Sequence, residues 1–341
     1  MKGILIIIIS KTPLRISLFS GGSDLPSFFI NDDDGGAALS ATIDKYIYIM
    51  VHKTHNGGIR LKFDTVEEID NINEMQHTLT KETLNHWYGD ITKYSHLNGW
   101  EISSISDVSY RGTGLGSSSA FVVGLLNTII KSGLGPEYLA IESCKVEIDR
   151  CNYPVGKQDS YSAAYGGFNL FRFYKNGTVS RNSVKIPKDF NEKLILIYSG
   201  ISRNANDILK SQVNQMIDKE KFKRVQKNRD RAYKALDFLE LKDYDSFGSL
   251  LNDSWQEKKQ IATGVSNEYF DDIYNTAIEA GSLGGKILGA GGGGYMIMYA
   301  SSFNVKDRIM HDLKKFDKVK ELKFNFSNKG SEVILNDKMG I

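Results

Sequence analysis

Gly112-Thr113-Gly114-Leu115-Gly116-Ser117-Ser118-Ser119 runs directly into the apolar segment Ala120-Phe121-Val122-Val123-Gly124-Leu125-Leu126. That segment continues with helical periodicity to Lys131, so the glycine-serine stretch opens a helix. Glycines let backbone approach an anion closely, and the unpaired N–H groups of a helix start point toward it. Serine hydroxyls add donors and can ligate magnesium. A serine N-cap after a flexible loop is the plainer reading of the serines. Three alternating glycines followed by three serines favour the anion site. The loop lacks the lysine of a P-loop, and Ser117 stands where a dinucleotide fingerprint needs its third glycine.

A second glycine cluster, Gly289-Ala290-Gly291-Gly292-Gly293-Gly294, matches Gly-x-Gly-x-x-Gly by letter. It follows the helical stretch 275–280 and leads into the strand-like 295–299, the reverse of a dinucleotide loop. It reads as a turn that brings backbone close to a ligand or to another loop, or as a purely structural turn. Further strand-like runs are 46–51, 167–173 and 193–198, and helical periodicity marks 137–151 and about 205–239. The segment Ile186-Pro187-Lys188-Asp189-Phe190 reads as a linker, which places domains at 1–188 and 189–341.

The 341 residues suffice for one large domain or two ordinary ones. A hydrophobic fraction of 41% and a charged fraction of 25% are those of a globular protein, and the net charge of +2 gives no reason to expect nucleic acid or an acidic membrane as partner. The only cysteines, Cys144 and Cys151, share a helical face and suit core packing in a reducing cytoplasm. His52 and His55, the closest histidines, have no accompanying ligand set for zinc. The six-residue apolar run 4–9 is far short of a membrane span and reads as a buried first strand leading to Arg15.

Glu147 lies in a helical stretch, and Asp159 follows a Pro/Gly turn beside Lys157. Phosphoryl transfer needs metal ligands, a residue that orients or deprotonates the nucleophile, and cations for developing charge. By itself an aspartate in such a loop more often serves as a cap or turn residue.

In this order, three segments resemble the GHMP kinases: 13–24 with Arg15, Gly21, Gly22 and Asp24; 112–119; and 286–294. The match is nearest to heptose 7-phosphate kinases and fucose-type sugar kinases, through Gly156-Lys157-Gln158-Asp159, the segment 198–208 and Ser254-Trp255. The resemblance implies an α+β fold of two domains, the first like ribosomal protein S5 domain 2 and the second ferredoxin-like. It implies ATP held by Gly112, Thr113, Gly114, Leu115, Gly116, Ser117, Ser118 and Ser119. Ser118 and Glu147 would hold Mg2+. Asp159 would orient or deprotonate the attacking sugar hydroxyl, with Arg15 offsetting negative charge beside it. Asp24, Gly21, Gly22 and Gly291 would contact the sugar; charge and motif position alone make Arg203 and Lys286 candidate partners for a phosphate already on it. Galactokinase-type members carry Glu-His where this chain has Gly21-Gly22, which suits a larger or phosphorylated substrate. The expected reaction is phosphorylation of the anomeric hydroxyl of D-glycero-D-manno-heptose 7-phosphate by a cytoplasmic monomer or homodimer. The rivals are a kinase of fucose or another free sugar, and a non-catalytic binding protein on the same scaffold.

Overall fold

Two sheets organise the chain, and the candidate residues converge where the sheets meet. The computed structural model describes residues 6–55, 57–89, 99–109, 112–130, 134–202 and 205–338. The strands are β1 (Ile6–Phe19), β2 (Gly36–Lys53), β3 (Ile59–Lys62), β4 (Val66–Ile69), β5 (Trp100–Ser106), β6 (Phe168–Phe173), β7 (Val179–Ser183), β8 (Leu194–Tyr198), β9 (Gly284–Ile287), β10 (Tyr295–Tyr299), β11 (Lys320–Glu321) and β12 (Glu332–Lys338). The first sheet runs β12-β1-β2-β5-β3-β4, and β6 joins it by pairing with β2 on one side and β7 on the other. The second sheet is antiparallel, in the order β11-β8-β10-β9. All four strand-like runs expected from the sequence lie in these sheets.

The second half of the long strand β1 is buried on both faces: Leu14, Ile16 and Leu18 are fully enclosed on one, and Arg15, Ser17 and Phe19 are buried on the other. The helices Ser117–Ile129 and Lys219–Glu240 both pack on β1 and β2. The periodic stretch near 205–239 is two helices, Ala205–Gln215 and Lys219–Glu240. Asp218 breaks it by capping the second, its carboxylate accepting from the N–H groups of Glu220 and Lys221 at 2.8 and 3.2 Å. The stretch 137–151 is helical but not uniform. An α-helix, Pro136–Cys144, passes into a π-helical turn, Lys145–Arg150.

The presumed linker is a structural plug. It forms a short helix, Lys188–Glu192, with Phe190 fully buried against Phe247, Tyr244 and Phe168 at ring-centroid distances of 5.0, 5.2 and 6.5 Å. Asp189 lies at the surface, and the single aromatic beside it supplies the buried half. The C-terminal strand β12 returns to the first sheet and pairs antiparallel with β1.

Candidate active site

The position of Arg15 follows from the sheet. Pro13 has no N–H to give the ladder, and the β1–β2 register shifts between Pro13 and Arg15. The Arg15 N–H then leaves the ladder and donates to the carbonyl of Leu115 in the glycine-serine loop at 3.0 Å. Its guanidinium donates twice to Asp159, Nε to Oδ1 at 2.7 Å and Nη2 to Oδ2 at 2.6 Å. Nη1 donates to the carbonyl of Gly114 at 2.5 Å. A bidentate pair of this kind fixes both partners in orientation. Asp159 sits in the first turn of the helix Gln158–Tyr165 and accepts also from Gln158 Nε2 at 3.2 Å, while Ser17 donates to Gln158 Oε1 at 3.0 Å. Sequence reasoning had brought Arg15 and Asp159 together and missed Gln158 and Ser17 as their props.

The helix behind the loop starts as expected, but its cap is Gly116 in the left-handed conformation with no side-chain hydrogen bond. The serine N-cap reading is therefore replaced: the cap residue offers no side-chain acceptor to the helix start, which is the arrangement an anion uses. Leu115 is fully enclosed in the core, so its side chain contributes nothing to the cavity. The Thr113 hydroxyl is buried and has no partner among the described residues. The second glycine cluster lies against this loop. A Cβ on Gly114 would stand 2.6 Å from the Leu288 carbonyl oxygen, and one on Gly289 would stand 2.7 Å from Gly114 Cα. Of the alternatives for that cluster, close approach to another loop is the one observed. Gly289 and Ala290 line the cavity. Gly291 instead faces Val265, whose carbonyl oxygen is 2.5 Å from where its Cβ would be.

Glu147 projects from the π-helical turn and is fully buried. Three hydroxyls donate to it: Ser118 at 2.9 Å, Ser119 at 2.6 Å and Ser160 at 3.2 Å. Burial pushes its carboxyl up to about 7, against the pull of those hydroxyls. No group of three or more His, Cys, Asp or Glu among the described residues could cage a metal. One carboxylate beside one hydroxyl nonetheless fits magnesium, which binds few protein ligands and keeps waters and phosphate oxygens.

Asp24 is buried, accepts from Ser20 Oγ at 2.6 Å and takes the N–H of Gln158 at 3.3 Å. A Cβ on Gly156 would stand 1.9 Å from Asp24 Oδ2, so only glycine admits this approach. Burial raises the Asp24 carboxyl above the usual range, opposed by the Ser20 hydrogen bond. Gly21 and Gly22 line the cavity, but the space beside Gly21 is taken: Asn228 Cβ lies 2.5 Å from where the Gly21 Cβ would be.

Arg15, Asp24, Ser118 and Asp159 are among the residues that line a cavity of about 620 Å³. Lys286 reaches it fully buried, its Nζ donating to the Leu18 carbonyl at 3.0 Å. Lys258, from the helix Tyr244–Lys259, also lines it and donates to the Gly289 carbonyl. Burial holds Lys286 well below the ordinary lysine range and brings Lys258 down to about 8, with Arg15 adding to the effect on Lys258. Lys258 escaped sequence reasoning because it sits in a charged helix end. Its signal was the spacing to Trp255, fully buried three residues earlier on the same face. Arg203 lies outside the described residues. A carboxylate paired to a fixed arginine, facing an anion loop and a second carboxylate with hydroxyls, can bind a polyphosphate and activate an alcohol beside it.

Two family models match the chain: the N-terminal domain of GHMP kinases over residues 79–167 and the C-terminal domain of GHMP kinases over residues 235–319. A D-glycero-alpha-D-manno-heptose 7-phosphate kinase from Campylobacter jejuni is 29% identical over 306 residues, covering 85% of this chain and 88% of that one. A mevalonate kinase from Thermococcus sibiricus is 26% identical, covering 86% and 89%. Among solved structures, a D-glycero-D-manno-heptose 1-phosphate kinase from Bacteroides thetaiotaomicron superposes with a TM-score of 0.71 at 24% identity, covering 96% of this chain and 98% of that one. The chain belongs to the GHMP kinases, and it is a phosphotransferase with an alcohol group as acceptor.

Proposed function

We propose that this GHMP kinase transfers the γ-phosphoryl group of ATP to the anomeric hydroxyl of D-glycero-D-manno-heptose 7-phosphate, giving the 1,7-bisphosphate. The observation that carries the reading is the bridge made by Arg15, which holds Asp159 with two nitrogens and the Gly114 carbonyl with the third. It couples the residue that faces the acceptor to the loop that faces the phosphates. The choice of heptose phosphate rests on the name of the relative from Campylobacter jejuni and on the motifs shared with that group.

In this reading, the first-turn N–H groups after Gly116 and the buried Thr113 hydroxyl bind phosphate oxygens. Ser118 and Glu147 hold Mg2+, which offsets phosphate charge when bound. Asp24 accepts hydrogen bonds from sugar hydroxyls with the lone pairs that Ser20 and Gln158 leave. Asp159 takes the proton of the attacking hydroxyl, and Arg15 keeps the carboxylate aimed and steadies the charge that develops on the moving phosphoryl group.

The test is a panel of free sugars and sugar 7-phosphates with ATP, the product position read by phosphorus NMR. Fastest turnover on the heptose 7-phosphate with a new anomeric phosphate supports the reading, and turnover only on a free sugar replaces it. One observation favours that second acceptor class. Asn228 fills the space beside Gly21, so the Gly21-Gly22 pair does not by itself enlarge the cavity.

A further inference from the structure

The cavity holds two ammonium groups that no carboxylate claims. Lys258 and Lys286 are 6% and 2% exposed, and their recorded acceptors are backbone carbonyls, those of Gly289 and Leu18. Among the described residues neither forms an ion pair. Asp159 is engaged by Arg15, and Asp24 by the Ser20 hydroxyl and the Gln158 N–H. A buried charge is expensive unless paired, and here three cations, Arg15, Lys258 and Lys286, face two aspartates. The lysines come from different elements, the helix Tyr244–Lys259 and strand β9, so one helix face does not explain both.

Their acceptors locate the missing partner. Gly289 lies against Gly114 of the glycine-serine loop, and Leu18 precedes by two residues the Ser20 that holds Asp24. The two ammonium groups therefore stand between the phosphate loop and the Asp24 turn. We propose that Lys258 and Lys286 together form a binding site for a tetrahedral phosphate dianion, distinct from the N–H groups of the glycine-serine loop. The dianion has two sources: the phosphoryl group in transfer, or a phosphate the acceptor already carries. This assignment rests on the kinase reading only for those two sources. A lysine is a compact cation that can serve either, and two of them offset a dianion.

The test uses the full chain with Lys258→Met and Lys286→Met, each of which keeps the buried stem and removes the charge. With ADP saturating, inorganic phosphate is titrated and followed by calorimetry. The expected result is a phosphate affinity at least tenfold weaker in each variant, with the unliganded melting temperature unchanged or raised. Phosphate affinity within twofold of the parent in both folded variants overturns the proposal. So does a lowered unliganded melting temperature with phosphate binding intact, which would make the lysines ties between loops. If one variant does not fold, the other decides. Kinetics on one sugar with and without its phosphate then separate the sources. A Michaelis constant raised at least tenfold for the phosphorylated sugar alone assigns the acceptor's phosphate, and an equal loss of kcat on both assigns the phosphoryl group in transfer. Absence of turnover with every sugar would sink the kinase reading, while the phosphate titration would still decide this one.

Discussion

A carboxylate that takes a proton from an alcohol must be held in place by something that does not itself react. Asp159 has that support in Arg15, whose two hydrogen bonds to it are 2.7 and 2.6 Å. Asp159→Asn preserves size and one acceptor but removes the base. It should lower kcat by about 10²- to 10⁴-fold and leave ADP affinity the same or tighter, since the site gains net positive charge. Steady-state kinetics with an ADP titration check both parts. Lys258 supports a prediction of a different kind. Arg15 and Lys286 face it as like charges, and Asp24 and Asp159 as opposite ones. Its folded-state value, about 8, lies below that of an unfolded lysine, 10.5. Between those values the unfolded chain binds more protons than the folded one. The lysine's destabilising charge is therefore fully present below about 8 and is relieved as pH rises toward 10.5. Stability of the unliganded protein relative to Lys258→Met should rise by up to about 3 kcal/mol across that window. Denaturation of both proteins as a function of pH measures it, and a difference independent of pH would contradict it.

At the scale of elements, the two glycine loops act as one unit. Gly289 has φ of 63° and touches Gly114, itself at 75°. Gly289→Ala should cost about 1–3 kcal/mol of stability, from the left-handed backbone alone, and should weaken nucleotide affinity because the glycine-serine loop must shift. A melting curve and an ADP titration follow the two effects. Each loop was legible singly, since glycine spacing and a following apolar run are local signals. Their contact was not, because it depends on how the second sheet packs on the first. The same division holds elsewhere. The strands β2, β6, β8 and β10 announce themselves as apolar or alternating runs. Arg15 and Asp159, 144 positions apart, could be paired only through the family's motif order. Lys258 belonged to no motif and read as a charged helix end. The break at Asp218 and the π-helical turn carrying Glu147 were hidden inside continuous helical periodicity, which persists across a cap or one extra residue per turn.

The whole molecule depends on how firmly the helix carrying Lys258 is held to the sheet carrying Arg15. Phe190 lies at that junction, with its ring 5.0 Å from Phe247 on the helix Tyr244–Lys259 and 6.5 Å from Phe168 on β6. Phe247 in turn meets Phe19 of β1 edge to face at 5.2 Å. Phe19 and Phe247 therefore join the strand bearing Arg15 directly to the helix bearing Lys258, and the segment that resembles a linker supplies the ring that backs Phe247 and joins it to β6. If Ile186–Phe190 were an open connection, Phe190→Ala would change stability by less than about 0.5 kcal/mol, as surface substitutions do. With Phe190 enclosed, the substitution should cost about 3–5 kcal/mol through lost burial and the cavity left behind. Urea denaturation separates the two magnitudes. Because Phe190 backs Phe247, the ring through which the helix bearing Lys258 meets the strand bearing Arg15, the variant should also bind ADP and phosphate less tightly at temperatures where it remains folded. Loss of stability with both affinities unchanged would mean that the walls are held in place by other contacts, chiefly those between the glycine loops.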